Sequence, residues 1–225
     1  MQQELWICQL GVLEYREALA LQERVRAARQ AGELPDVLLL LEHHPVYTRG
    51  RRSSASELPM GESWYLSQGI DVVDSDRGGK LTYHGPGQLV GYPIMRVEDV
   101  IGYLRSLERA IIAALSDARV DAHVSEGLTG VWAGERKIAS IGVHLSRSVT
   151  THGFAVNVQN DLQPFNWVHP CGLEDVQMTS VVKETHRIDP LPAFREQMAQ
   201  AFTHEFGLRA RGVPPDSLNA ARSAL

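Results

Sequence analysis

Apolar positions change their spacing several times along the first third of the chain. Residues 4–10 form an apolar-rich, strand-like segment, and residues 14–30 then carry apolar side chains at helical spacing. Residues 36–41 are almost continuously apolar, which is typical of a strand buried on both faces. This part of the sequence therefore predicts a strand, an amphipathic helix and a buried strand.

The remaining pattern predicts two more helices and a run of strands. Asp99 can cap a helix over 100–119, whose apolar stripe is predicted at Ile101, Leu104, Ile111 and Leu115. A last helix follows the proline-rich residues 189–192. Further strand-like segments are 69–73, 122–124, 128–132, 137–144 and 151–158.

Runs of strands interrupted by helices, without strict alternation, predict an α+β fold. We expect a mixed or antiparallel sheet flanked by helices. No linker divides the sequence, so we expect a single domain over 1–208. Residues 209–225 are polar and are expected to form a flexible tail.

Composition excludes several protein classes. The 225 residues are 44% hydrophobic and 22% charged, which argues against a fibrous, disordered or membrane-spanning protein. A net charge of −5 gives no sign of a nucleic-acid partner. Neither a secretory signal nor a membrane span is expected, and the two cysteines lie far apart, so we expect a cytoplasmic protein without a disulfide framework.

Residues 77–94 hold five glycines within a segment that otherwise reads as strand, turn and strand. Glycine weakens a strand, and it often marks a bulge or a close approach of a ligand to the main chain. We therefore interpret this segment as one wall of a binding site.

Two residues could supply chemistry, and each has a structural alternative. Cys171 lies between Pro170 and Gly172, away from any periodic apolar run, so a catalytic thiol and a core cysteine remain equally open. Lys137 could favour a nearby thiolate, although its position at a charged turn is more typical of a solvated lysine. Cys8, within a strand, is interpreted as structural.

The sequence lacks the common metal and nucleotide motifs. Its histidines show no zinc-binding spacing, and no glycine-rich phosphate loop opens a helix. We therefore expect neither a metal site nor a nucleotide site of the usual kinds.

Five blocks of the sequence nevertheless resemble the lipoate-protein ligase B family, whose members are octanoyl-acyl-carrier-protein:protein N-octanoyltransferases. The blocks are Arg-Gly-Gly-Lys-Leu-Thr-Tyr-His-Gly-Pro-Gly-Gln from Arg77, His-Pro-Val-Tyr-Thr-Arg-Gly from His44, Arg-Lys-Ile-Ala-Ser-Ile-Gly from Arg136, His-Gly-Phe-Ala-Val-Asn from His152, and Pro-Cys-Gly from Pro170, followed by Met-Thr-Ser from Met178.

This resemblance implies the fold of biotin and lipoate protein ligases and the first step of endogenous protein lipoylation. The octanoyl group would pass from acyl carrier protein to a lysine of a lipoyl domain, in a 2-oxoacid dehydrogenase E2 subunit or a glycine cleavage H protein. The only prosthetic group would be the phosphopantetheine of the carrier. We expect a cytoplasmic monomer with neither a nucleic-acid nor a membrane partner.

The resemblance also assigns site residues. Cys171 matches the acyl-thioester nucleophile, and Lys137 matches the residue that lowers the pKa of that cysteine. Substrate-binding residues are implied at Arg77, Gly78, Gly79, Lys80, Leu81, Thr82, Tyr83, His84, Ser140, Ile141, Gly142, Gly153, Phe154 and Ala155.

Three alternatives remain open at this point. An ATP-dependent lipoate or biotin protein ligase would share the fold, and a non-catalytic acyl-binding or lipoyl-domain-binding protein would share the pocket. A papain-like Cys–His hydrolase has weaker support, because no cysteine at a helix start with a suitable downstream histidine and asparagine is visible.

Overall fold

The computed structural model describes residues 3–168 and 176–222. In this part of the chain ten strands form two sheets. The strands are β1 (Glu4–Leu13), β2 (Asp36–His43), β3 (Val46–Arg49), β4 (Asp71–Asp74), β5 (Thr82–His84), β6 (Gln88–Ile94), β7 (Val131–Ala133), β8 (Arg136–Ser146), β9 (Val149–Asn157) and β10 (Arg209–Gly212).

The described helices are α1 (Tyr15–Ala31), α2 (Glu62–Ser67), α3 (Val100–Asp117), α4 (Val181–Thr185) and α5 (Leu191–Glu205), with short 3-10 turns at Ala55–Glu57, Gln163–Trp167 and Pro215–Arg222. None of these helices combines the length and apolar character needed to cross a membrane.

The large sheet has seven strands in the order β10-β1-β2-β6-β9-β8-β7. Its first three strands pair in parallel, and every later pair is antiparallel. The small sheet has the order β4-β3-β5, with one parallel and one antiparallel pair. The predicted α+β fold with a mixed sheet is therefore confirmed.

Strand β2 lies at the centre of the core. Its Leu38 and Leu40 belong to the apolar cluster shared with α3 and α5, whereas Val37, Leu39 and Leu41 belong to the cluster shared with α1. A strand covered on both faces needs apolar side chains at consecutive positions, which explains the continuous apolar run.

Helix α3 forms where predicted, and its predicted stripe residues Ile111 and Leu115 are fully buried, whereas the first turn differs from the prediction. The Asp99 side chain accepts hydrogen bonds from the main-chain N–H groups of Ile101 and Gly102, so the predicted cap is confirmed. Ile101 is 73% exposed, however, and Tyr103 and Leu107 are buried in its place. In this first turn, placement over the sheet decides which apolar side chain is buried.

Two predicted secondary structures differ from the structure. Residues 122–124 form no strand beyond a single bridge from His123 to Trp132, and 125–130 connect to β7 as a loop. The polar residues expected to form a flexible tail begin instead with β10, which pairs with the parallel strand β1. Leu218, in the turn Pro215–Arg222, is buried in the apolar cluster on the α1 side of the core and so anchors this turn.

Candidate active site

A cavity opens between the segment that leads into β5 and strands β8 and β9 of the large sheet. The space between its walls, including the part open to solvent, is about 530 Å³. Its walls are formed by Tyr15, Arg77, Gly78, Gly79, Lys80, Leu81, Thr82, His84, Tyr92, Lys137, Ser140, Ile141, Gly142, His152, Gly153, Phe154 and Ala155.

All three segments assigned to substrate by the resemblance reach this cavity. From the segment 77–84 the exception is Tyr83, which is absent from the wall. Side chains alternate along β5, so Tyr83 points to the opposite face from Thr82 and His84. Its ring lies 5.5 Å from those of both Tyr47 and Phe165, in an aromatic cluster under the small sheet.

The glycines of the wall bring parts of the main chain together. A Cβ atom at Gly142 would lie 2.8 Å from the carbonyl oxygen of Gly78. A Cβ atom at Gly153 would overlap the carbonyl oxygen of Gly91. The Gly78 N–H also donates to the Val143 carbonyl oxygen at 3.0 Å. These glycines thus let neighbouring segments of the protein pack closely.

Hydrogen bonds from Arg77 hold the wall segment 77–84 against the small sheet. Its Nε donates to Thr48 Oγ1 at 3.0 Å, and its Nη2 donates to the same oxygen at 2.8 Å. Its Nη1 donates to the Gly78 carbonyl oxygen at 3.0 Å. The guanidinium is buried, so these bonds fix both the arginine and the wall segment that follows it.

Lys137 is buried at one end of the cavity, with only 6% of its surface exposed. Its Nζ lies 5.2 Å from the centroid of the Trp132 ring, within the range of a cation–π interaction. The alternative of a solvated turn lysine is therefore wrong. The lysine occupies β8, and the strand holds it inside the protein.

Lys137 is also bound to the segment that follows Cys171 in the sequence. Its main-chain N–H donates to the Gln177 carbonyl oxygen at 2.9 Å, and its carbonyl oxygen accepts from the Thr179 N–H at 3.0 Å. Met178 forms a parallel bridge with Lys137 between these two bonds. Cys171 itself lies in 169–175, outside the described residues.

The sequence analysis missed Tyr15, Tyr92 and His152 as wall residues. They belong to a buried cluster of tyrosine and histidine rings, in which Tyr15 stacks on His84 at 6.1 Å and Tyr92 meets His152 edge-on at 6.2 Å. His152 opens one of the recognised sequence blocks, and Tyr92 lies in the segment 77–94 that was interpreted as one wall of a binding site, although neither residue was assigned to substrate. Tyr15 opens α1 and carried no such signal.

Burial keeps the histidines of this cluster neutral. It lowers the pKa of His43 to about 4, and it lowers the pKa values of His84 and His152 as well. His152 Nε2 lies 2.7 Å from Asp76 Oδ1, and this hydrogen bond is the main cause that lowers the pKa of Asp76 to about 2. With Asp76 ionised and His152 neutral, His152 donates through Nε2.

The wall therefore combines buried main chain, apolar side chains and neutral rings. Leu81, Ile141, Phe154 and Ala155 offer apolar contacts suited to a hydrocarbon chain. No group of histidine, cysteine, aspartate and glutamate side chains among the described residues is arranged to hold a metal ion.

The sequence is similar to those of known acyltransferases. Residues 14–203 match the family model of the lipoyl protein ligase A/B catalytic domain. A protein of Solibacter usitatus named octanoyltransferase is 52% identical over 169 residues, covering 73% of this chain and 77% of its own length. The octanoyltransferase of Acidothermus cellulolyticus is 44% identical over 222 residues, covering 95% of this chain and 96% of its own length.

A similar fold occurs in a crystal structure of lipoate-protein ligase A bound with ATP. The two structures superimpose with a TM-score of 0.77 over 98% of this chain and 94% of the other, at 18% sequence identity. That identity supports a shared fold. The family model and the two relatives confirm the resemblance found in the sequence: the chain belongs to the lipoyl protein ligase A/B catalytic domain family, within its lipoate-protein ligase B branch, and is an acyltransferase.

Proposed function

We propose that this enzyme transfers an octanoyl group from acyl carrier protein, through a thioester on Cys171, to a lysine of a lipoyl domain. The acceptors would be the lipoyl domains of 2-oxoacid dehydrogenase E2 subunits and the glycine cleavage H protein. The observation that carries the proposal is Lys137, which is buried at the cavity and hydrogen-bonded to the segment that follows Cys171. The enzyme would act in the cytoplasm as a monomer, without a resident cofactor.

The first half-reaction exchanges one thioester for another. An ordinary cysteine has a pKa of about 8.5, so it needs a nearby cation to be substantially ionised at neutral pH. Lys137, as an ammonium ion, would favour the Cys171 thiolate. The thiolate attacks the octanoyl carbonyl, a new C–S bond to Cys171 forms, and the C–S bond to the carrier breaks. The carrier leaves as a thiol with the proton given up by Lys137.

The second half-reaction forms an amide. The neutral amine of the acceptor lysine attacks the thioester on Cys171, and its excess proton passes to the now neutral Lys137. The C–S bond to Cys171 breaks as the C–N bond is completed. The starting pair of thiolate and ammonium is thereby restored, and no ATP is consumed.

The composition of the cavity wall supports an acyl substrate. The apolar side chains of Leu81, Ile141 and Phe154 can cover a hydrocarbon chain, and burial of each methylene contributes about 0.8 kcal/mol. The neutral state of the histidines places no net charge on the rings that line the site. Main-chain N–H groups of the glycine-containing wall are candidates for stabilising the developing oxyanion.

The test is to incubate the protein with octanoyl-acyl carrier protein and no acceptor, and to record its intact mass. We expect one octanoyl adduct, which is absent from Cys171→Ala and is lost when a lipoyl domain is added. An adduct retained by Cys171→Ala, or none in the wild type, would overturn the covalent mechanism.

The same assay separates the alternatives. Acceptor modification that requires ATP and free octanoate would identify a ligase instead of a transferase. Tight binding of octanoyl-acyl carrier protein or of a lipoyl domain, without any adduct or product, would identify a non-catalytic binding protein.

A further inference from the structure

We infer that Glu108 is a positioning residue that holds Gly130 against the end of the Lys137 side chain. The inference rests on the role proposed above for Lys137. Glu108 lies on α3 and is not part of the cavity wall, and the resemblance assigned it no function.

Glu108 occupies the buried face of an otherwise apolar stripe. It is 1% exposed, and the neighbouring members of that face include Leu107 and Ile111, which are fully buried. Placing a carboxylate there costs free energy unless its oxygens receive hydrogen bonds. The position therefore calls for an account of what each oxygen binds.

The two oxygens of Glu108 have different partners. Oε2 accepts from Arg105 Nη1 at 2.6 Å, and the Arg105 side chain is half exposed. Oε1 accepts from the main-chain N–H of Gly130 at 3.2 Å, within the protein. Arg105 could reach an exposed partner equally well, whereas the bond to Gly130 requires a buried acceptor at this place.

Gly130 in turn lies directly against Lys137. A Cβ atom on Gly130 would be 2.8 Å from Lys137 Cε and 3.3 Å from its Nζ, and it would be 2.6 Å from the Ala139 carbonyl oxygen. The φ angle of Gly130 is +132°, a conformation that residues with a side chain rarely adopt. The main chain at Gly130 thus forms a wall at the end of the lysine.

Trp132, in strand β7, also contacts the lysine. Its ring lies 5.2 Å from Lys137 Nζ, and its main chain exchanges two hydrogen bonds of 2.9 Å with His123. Gly130 precedes this anchored residue at the end of the loop 125–130. Glu108 therefore fixes the first residue of the segment 130–132 that borders Lys137, and the His123 pairing fixes the last.

The consequence is a chain of contacts from Glu108 through Gly130 to the lysine. If the Gly130 N–H loses its acceptor, the loop can withdraw and Lys137 gains room to move. Electrostatic support of the Cys171 thiolate then weakens, because it depends on the distance between the two charges.

The test measures the pH dependence of Cys171 alkylation by iodoacetamide, with the modified peptide identified by mass. We expect Lys137→Ala to raise the midpoint toward that of an ordinary thiol. Glu108→Ala should raise the midpoint by about one pH unit, which is about tenfold less thiolate at neutral pH. Glu108→Gln keeps an oxygen acceptor for Gly130 and should stay near the wild type.

Glu108→Asp protects the test against a variant that fails to fold. It keeps the charge but draws the carboxylate back by one methylene, so it should behave like Glu108→Ala. The matched control is Ile111→Ala, which removes a buried apolar side chain from the same helix and leaves both oxygens of Glu108 in place, and it should leave the midpoint unchanged.

A double-mutant cycle shows whether Glu108 acts through the lysine. In the Lys137→Ala background, Glu108→Ala should produce no further shift. Equal defects in Glu108→Gln and Glu108→Ala, or an unchanged midpoint in both Glu108→Ala and Glu108→Asp, would overturn the inference. An unchanged midpoint in Lys137→Ala would instead overturn the role proposed for the lysine.

Discussion

His43 Nε2 lies 2.7 Å from the hydroxyl oxygen of Tyr92, and His43 Nδ1 lies 3.1 Å from the Leu13 carbonyl oxygen. The carbonyl can only accept, so Nδ1 carries the proton and Nε2 accepts from the tyrosine. This pairing links β2 to β6 beneath the cavity wall. It requires an uncharged imidazole.

We predict that acid destabilises the fold through His43. Burial lowers its pKa to about 4 in the folded protein, from about 6.5 in the unfolded chain. The unfolded state therefore binds the proton first, and the stabilising contribution is lost as pH falls from about 6.5 through 4. The contribution is on the order of 3 kcal/mol.

The measurement is urea unfolding of the wild type and of His43→Gln between pH 7 and pH 4. Subtracting the two curves should leave a slope confined to this pH window. Parallel curves would show that another group carries the acid sensitivity.

Gly153→Ala should destabilise the protein strongly. The added methyl group would overlap the Gly91 carbonyl oxygen and lie 2.5 Å from Pro93 Cδ, and β9 pairs on both sides, so neither strand can yield freely. We expect a loss of about 3 kcal/mol in the free energy of unfolding.

Gly11→Ala is the matched control, because nothing lies within 4 Å of a Cβ atom there. Reducing the freedom of the unfolded chain should leave it neutral or make it more stable by about 0.5 kcal/mol. Similar unfolding midpoints for the two variants in urea would contradict the packing role of Gly153.

Thr48→Val should loosen the wall segment while keeping the shape of the small sheet. It removes the hydroxyl that accepts from both Nε and Nη2 of Arg77. Nη2 keeps its hydrogen bond to the Thr48 carbonyl oxygen, and loss of the shared hydroxyl acceptor should cost about 1–3 kcal/mol of stability. We also expect slower acylation by octanoyl-acyl carrier protein, measured by stopped reactions and intact mass. Thr48→Ser retains the hydroxyl and should keep the wild-type rate.

Ala155→Val should shorten the acyl chain that the enzyme prefers. Ala155 lines the cavity from β9, so its added methyl groups project into the space proposed for the octanoyl group. The ratio of kcat/KM for octanoyl over hexanoyl carrier protein should fall about tenfold. Ala199→Val places the same change on α5, outside the cavity wall, and should leave the ratio unaltered.

Much of the fold could be predicted because its signals are local. Three features could be recognised from a few consecutive residues: the apolar run of β2, the cap at Asp99 and the glycine-rich segment. The phase of α3 at Ile101 and the pairing of β10 with β1 depend on what covers each element. No local pattern contains that information.

The site shows the same division. Positions 77–84 and 140–142 could be assigned from sequence blocks, yet Tyr83 turns away because β5 alternates its side chains. In the sequence, Glu108 is indistinguishable from any other helical glutamate, and only the structure shows its hydrogen bond from the Gly130 N–H. Residues that act through a main-chain contact leave little trace in their own neighbourhood.

The close packing at Gly142 and Gly153 has a consequence for how this cavity could change. At Gly142 and Gly153 one segment of main chain lies directly against another, so the peptide groups themselves set the distance between the segments. Side-chain substitutions elsewhere leave these peptide groups in place. A larger residue at Gly142 would force β8 and the wall segment at Gly78 apart, and a larger residue at Gly153 would push β9 away from the neighbouring strand β6. New substrate preferences would therefore have to arise from side chains such as Ile141 and Ala155, which can alter the depth of the cavity while its frame stays constant.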